Sequence, residues 1–205
     1  MPTLFQFFVR NALRSKRILW MSILSLLPVG CVFLLFLARS FLTSQGVSLP
    51  SLFPQVGYGL FLHFLLPLMA VFAGTAVIGD EVDDRTLPYL LVRPVSKTQI
   101  VLAKTLAGTA ALGAILLVSL GLTYTVMFMD GGAGLWLSQF SQFLRGAATM
   151  ILGLLVYIPL FALMGGLLKK PVLAGLLFVF GWESSVSFIP GNVRYLTVAH
   201  YLHIL

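Results

Sequence analysis

Charge is what this sequence has least of. Aspartate, glutamate, lysine and arginine make up 9% of its 205 residues, where a soluble domain carries roughly 25%. Six acidic and thirteen basic side chains cannot coat a globule of this length, and 59% of the residues are hydrophobic. The shortage excludes an ordinary water-soluble domain, and the apolar surface must face lipid. A single cysteine, Cys31, excludes an intrachain disulfide. No Gly-x-x-x-x-Gly-Lys-Ser/Thr run occurs, so nothing in the chain can cradle the phosphates of ATP. Internal repeats and low-complexity tracts are absent. No small-residue cleavage site follows the first apolar run, so the basic amino-terminal segment reads as part of the protein and not as a signal peptide.

What the sequence has in abundance is long apolar runs. A helix needs about 20 apolar residues to cross the hydrocarbon core. Five stretches qualify: Ile18–Ala38, Tyr58–Gly79, Thr105–Met129, Gly146–Leu168 and Pro171–Ile189. The fold class expected is therefore an all-α integral membrane protein, a single transmembrane domain of about five helices over residues 1–205, with residues 190–205 as an outer segment. Pro28, Pro67 and Pro159 fall inside three spans, where kinks are tolerated because neighbouring helices re-satisfy the freed carbonyls. Gly108, Gly113, Gly121, Gly146, Gly153, Gly165 and Gly166 recur along the third and fourth spans. They are expected to let helices approach closely.

The basic residues then orient the chain. Arg10, Arg14, Lys16 and Arg17 precede the first span. Arg85, Arg93, Lys97 and Lys104 lie between the second and third, and Lys169 and Lys170 between the fourth and fifth. These ten of the thirteen fall on one side, with Arg39, Arg145 and Arg194 on the other. The positive-inside rule makes the ten-residue side cytoplasmic and places the amino terminus there. A basic balance split in this way is an orientation signal, not a nucleic-acid surface.

Two cytoplasmic segments are more than connections. Residues 3–17 read as an interfacial helix, with Phe5, Phe8, Val9 and Ala12 on one face and Arg10, Arg14 and Arg17 on another. It serves either as a plain anchor for the first span or as an elbow that touches a partner. Residues 80–104 hold four of the six acidic and four of the thirteen basic side chains. Leu87, Tyr89, Leu90, Leu91 and Val92 form an apolar centre too short to span, bracketed by Pro88 and Pro94, and fit a helix of one to two turns. Ser96-Lys97-Thr98-Gln99 matches a capping box, so the next helix is expected to start near Lys97. Running to Met129, it would be roughly 50 Å long, more than the bilayer requires, with its first turns in the cytoplasm. Spacing alone leaves two readings: a docking element for a cytoplasmic protein, or a solvated loop with an interfacial patch.

The run Glu81-x-x-x-Arg85-Thr86-Leu87-x-Tyr89-Leu90-Leu91-x-Arg93-Pro94-Val95-Ser96-Lys97, closing on Ile100-Val101-Leu102-Ala103-Lys104, resembles the cytoplasmic loop of ATP-binding-cassette (ABC) transporter permeases of the type-2 exporter class. Trp182-Glu183, Tyr195-Leu196-Thr197 and His200-Tyr201-Leu202 are similar to the outer segment before the last span of those permeases. Within the class, loop and tail look closest to the copper-enzyme-maturation type. The resemblance implies that Thr86–Arg93 is a coupling helix seated in a groove of a separate nucleotide-binding subunit. Glu81, Asp84 and Arg85 stand at its approach, and Thr86, Leu87, Tyr89, Leu90, Leu91 and Arg93 make the contact. It also implies ATP and magnesium on that partner and none on this chain, a second permease chain, and no catalysis by this chain itself. Six spans are usual in the class, so a sixth helix is expected to be absent from this chain.

Glu183 is the one carboxylate well inside an apolar run, in the outer half of the fifth span. A charge there is costly and marks a functional candidate, so Glu183 and Ser184 are candidate translocation-path residues. The other reading is structural, with Ser184, Ser185 and Ser187 satisfying the carboxylate locally. Met127, Met129 and Asp130 do not make a soft-metal site, because residues two apart on a helix do not share a face. His63 reads as hydrogen-bonded between helices, and His200 and His203 as interfacial. Trp136, Phe140, Phe143 and Leu144 suggest an outer interfacial helix. Asp80-Glu81-x-x-x-Arg85 comes near an intramembrane-protease signature, but Gly59, Leu196 and Ala199 stand where that family needs phenylalanine before histidine. A secondary transporter without an ATPase partner needs more intramembrane ionisable groups than Glu183 alone. A structural or assembly role is the remaining alternative to a cell-membrane exporter subunit.

Overall fold

The computed structural model describes residues 16–44, 46, 48–83, 97–129 and 132–183, and among them every regular element is helical. Helix α1 spans Lys16–Leu37 and the short α2 spans Arg39–Ser44. A 3₁₀ turn at Leu49–Leu52 leads into a long helix, α3, made of Phe53–Gln55, Val56–Leu65 and Leu66–Asp83 without a break. Helix α4 spans Lys97–Phe128, α5 spans Gly132–Ser138 and α6 spans Phe140–Leu167. Helix α7 begins at Pro171–Leu176 and continues through Leu177–Glu183. Among the described residues α1, α3, α4 and α6 are each long and apolar enough to cross a membrane, and Pro171–Gly181 is a shorter apolar helix. The protein is an all-α membrane protein, as its hydropathy predicts. The second span begins earlier than hydropathy alone implies, because Phe53 to Gln55 are already helical.

The middle of α3 is π-helical over Val56–Leu65, and the amide of Leu66 donates to Phe61 five residues back. Pro67 explains where this wider winding stops. It has no N–H to offer, and its ring crowds the carbonyl of the preceding turn in an α-helix. Pro28 and Pro159 lie inside α1 and α6, which continue through them.

Helix–helix association in lipid gains little from hydrophobic burial, since the tails are as apolar as leucine, and it relies on close packing and interhelical hydrogen bonds. The tightest packing here is between α3 and α6, which run parallel. A Cβ on Gly74 would sit 2.6 Å from the Cβ of Phe161 and 2.8 Å from the carbonyl oxygen of Ile158. One on Gly165 would sit 2.6 Å from the Thr75 carbonyl oxygen. Helix α7 joins the pair at Gly175, whose added Cβ would lie 2.9 Å from Val71. Phe61, Leu65, Leu66, Met69, Leu116, Leu154, Tyr157 and Phe161 are fully buried at the centre.

The glycines of the third span and Gly146 of the fourth behave differently from expectation. Gly108 and Gly121 face open space, and Gly113 and Gly146 make only ordinary contact. Glycine frequency marks where helices can approach, not which faces do so.

Helix α1 is peripheral, with Leu19, Trp20, Ile23, Phe33, Leu34 and Leu37 all exposed, an apolar face suited to lipid. The hydroxyl of Ser119 on α4 donates to the carbonyl of Ser25 on α1, pinning this outer helix to the core.

The two ends of the bundle differ in chemistry. At one, Phe53, Tyr124, Phe128, Trp136, Phe140 and Phe143 form a continuous aromatic cluster with ring centroids 4.6–5.7 Å apart. The Tyr124 hydroxyl donates to the Trp136 carbonyl. Trp136 lies on α5 and Phe140, Phe143 and Leu144 on α6, so the outer interfacial helix expected over these residues is broken at Gln139. Arg39, with its guanidinium 4.6 Å from the Phe36 ring centroid, and Arg145 are the described cations at this end. Arg17, Lys104, Lys169 and Lys170 lie toward the other, basic end.

Candidate functional site at the basic end of the bundle

Residues 84–96 of the segment singled out by the sequence connect α3 to α4 and lie outside the described residues, but the structure describes the two helices that flank them. The Nζ of Lys104 on α4 donates a 2.8 Å hydrogen bond to the carbonyl of Val77 on α3. Past that tie α3 continues six residues, Ile78 to Asp83, and α4 has seven residues before it, Lys97 to Ala103. At about 1.5 Å per residue both helices reach about 9–10 Å beyond the tie. The helix expected from Lys97 to Met129 runs from Lys97 to Phe128.

The hydroxyls nearby are already engaged on their own helices. Thr75 donates to Val71 at 2.7 Å, Thr105 to Val101 and Leu102 at 3.0 Å, and Thr109 to Thr105 at 2.8 Å. These buried side chains are satisfied by carbonyls a turn back, which leaves close helix contacts undisturbed. Among the described residues no group of three or more histidine, cysteine, aspartate or glutamate side chains is arranged to hold a metal ion. Met127 is buried and Met129 is 68% exposed, so the two methionines do face different ways.

Of the sequence-predicted coupling residues, Glu81 lies in the last turn of α3. Asp84, Arg85, Thr86, Leu87, Tyr89, Leu90, Leu91 and Arg93 lie outside the described residues. Glu183 ends the π-helical part of α7, and Ser184 lies outside the described residues. The interfacial helix at 3–17 and the Ser96 cap likewise fall outside, apart from Lys16 and Arg17, which open α1.

Several clefts open on the bundle among the described residues. Near the aromatic end, one of about 180 Å³ is walled by Phe53, Leu62, Leu120 and Met150, with Gln142 and Arg145 at its polar edge. At the basic end, one of about 350 Å³ lies between α1, α3 and α7. Sequence reasoning found neither this cleft nor the Lys104–Val77 tie. Their only signal is that Lys104 and Arg17 sit at the very edge of long apolar runs.

The model of the family described as ABC-2 family transporter protein matches residues 9–198, nearly the whole chain. The chain belongs to the ABC-2 transporter family. No curated protein and no solved structure matches it. Membership identifies a multi-pass permease, the transmembrane and non-catalytic component of an ABC transporter, and implies in general a partner subunit that binds ATP. The matched region takes in α1 to α7 and the segment between α3 and α4.

Proposed function

We propose that this permease is driven mechanically from its basic end. Thr86–Arg93 is the coupling helix, with Glu81, Asp84 and Arg85 guiding it into a groove on a separate nucleotide-binding subunit. ATP and magnesium bind there. Nucleotide binding draws two such subunits together, and the coupling helices carry the motion into two permease chains whose path alternates its access, a two-state switch biased by nucleotide. The chain resides in the cell membrane with its amino terminus in the cytoplasm, and the direction of transport is export. Glu183 and Ser184 line the translocation path.

The observation that carries this reading is the pair of tied helices. Lys104 and Val77 join α3 to α4 shortly before both run on toward the loop. A push on the segment between Asp83 and Lys97 is then delivered to two long helices together, one of which is packed against α6 without slack at Gly74 and Gly165. A solvated loop needs no such lever.

The test is co-purification of the chain with an ATP-binding-cassette subunit encoded beside it. Replacing Leu87, Leu90 and Leu91 together by glutamate is expected to reduce recovery of that subunit to background, with the melting temperature of the permease unchanged. A complex that survives the triple replacement contradicts the coupling assignment.

A further inference from the structure

The cleft at the basic end is amphipathic in a way that specifies a ligand. Its walls are Phe72, Ala76, Pro171, Val172 and Leu173, and its rim carries Arg17 from the start of α1 and Lys170 from just before α7. Thr75 supplies the one hydroxyl, which already donates to Val71 at 2.7 Å. Among the described residues that line it there is no carboxylate. Its inner end, at Thr75 and Gly79, is backed by the close contact of Thr75 with Gly165. Arg17 also engages another group, but a guanidinium has five N–H donors in a fixed fork and can serve a second acceptor.

We propose that this cleft binds one anionic phospholipid, its phosphate held between Arg17 and Lys170 and an acyl chain laid along Phe72, Ala76 and Leu173. Two cations beside apolar walls match a ligand that is anionic at one end and hydrocarbon at the other. A free phosphate leaves the walls uncovered. A lipid without net charge pairs less well with two cations, since basic residues at a membrane surface each add to the attraction for anionic lipid. The cleft is lined from both α1 and α7, which expose the apolar side chains Leu19, Trp20 and Leu173, a surface along which an acyl chain enters from the bilayer. A volume of about 350 Å³ takes the glycerophosphate and the first part of one chain, the remainder staying in the leaflet. A lipid seated there touches both α1 and α7, each of which packs against α3.

The test uses the full chain purified in detergent and titrated with phosphatidylglycerol or phosphatidylcholine, the bound lipid being counted by native mass spectrometry. The wild type is expected to retain one phosphatidylglycerol with a preference of roughly ten-fold over phosphatidylcholine. The double variant Arg17→Gln with Lys170→Gln is expected to lose that preference. Lys169→Gln, which removes a neighbouring charge that does not line the cleft, is expected to keep it. Ala76→Phe leaves the charges in place and fills the wall, and is expected to lower retention of both lipids severalfold. Millimolar inorganic phosphate is expected not to displace the lipid. The proposal is overturned if the double variant keeps the preference or Lys169→Gln abolishes it equally. It is also overturned if Ala76→Phe binds as the wild type does, or if inorganic phosphate competes as well as the lipid. A melting temperature for each variant separates lost binding from lost folding, and Ala76→Leu stands in if Ala76→Phe does not fold.

Discussion

The Nζ of Lys104 donates to the main-chain oxygen of Val77 across a 2.8 Å gap, joining the helix that enters the 84–96 segment to the helix that leaves it. In water such a contact would compete with solvent. At the edge of an apolar bundle a lysine stem can lie along apolar surface while its ammonium reaches a polar partner. On the coupling proposal, the tie is placed where force from the loop would first meet the spans.

Replacing Lys104 by leucine removes the donor and keeps the stem. Loss of one charged hydrogen bond is expected to cost about 1–2 kcal/mol, measurable as a lower melting temperature in detergent. Transport per ATP hydrolysed is expected to fall severalfold in reconstituted vesicles, while the ATP-binding subunit still co-purifies. Equal loss of assembly and of transport would assign Lys104 to docking instead of transmission.

The α3–α6 contact gives a second prediction. Gly74→Ala and Gly165→Ala each force a methyl against backbone or a Cβ at 2.6 Å, and overpacking of this kind costs about 1–3 kcal/mol. Gly108→Ala and Gly121→Ala, where nothing lies within 4 Å, are expected to change the melting temperature little or to raise it, because alanine is the better helix former. The comparison uses the same substitution at four positions, so it isolates packing from propensity.

The contrast between those glycines also shows where the sequence is legible and where it is not. Gly108 and Gly165 look alike in a string of letters, and only the rotation of each helix against its neighbours separates them. Hydropathy needs no such information, which is why the long apolar spans can be read directly, and the start of α4 at Lys97 follows from an equally local pattern of capping residues. The distribution of basic residues is equally local, and Arg17, Lys104 and Lys170 do share one end of the bundle. The amphipathic cleft depends on three segments far apart in the chain, and nothing in any one of them announces it. Gly74 was missed for the same reason, since it looks like one small residue in an apolar run until Phe161 is set against it. The proposed coupling segment is the reverse case: its reading rests on its own residues between Asp83 and Lys97, which lie outside the described structure.

Outer helix α1 supplies a third prediction. The Ser119 hydroxyl donates to the Ser25 carbonyl, a side-chain bond between α1 and α4. Ser119→Ala is expected to lower stability by about 0.6–1.5 kcal/mol, the range of interhelical hydrogen bonds in membranes. Accelerated proteolysis near the start of α1 is the readout, and unchanged cleavage would mean that packing alone holds the helix.

Tyr124→Phe tests the aromatic end in the same way. It deletes the hydroxyl that donates to Trp136 while leaving the ring among Phe53, Phe128 and Phe143. The expected loss is about 0.5–1.5 kcal/mol, with a shift in Trp136 fluorescence as α5 loosens. A spectrum and melting temperature identical to wild type would show that ring stacking is sufficient.

The most direct test of the coupling account is a photo-crosslink from the loop itself. A benzophenone amino acid placed at Leu87 or Leu90, in membranes that also contain the ATP-binding subunit, is expected to give an adduct with that subunit, identified by mass spectrometry, and the yield is expected to change when ATP is added. Adducts confined to lipid or to the chain's own helices would contradict the account, because the segment would then have no face turned toward a motor.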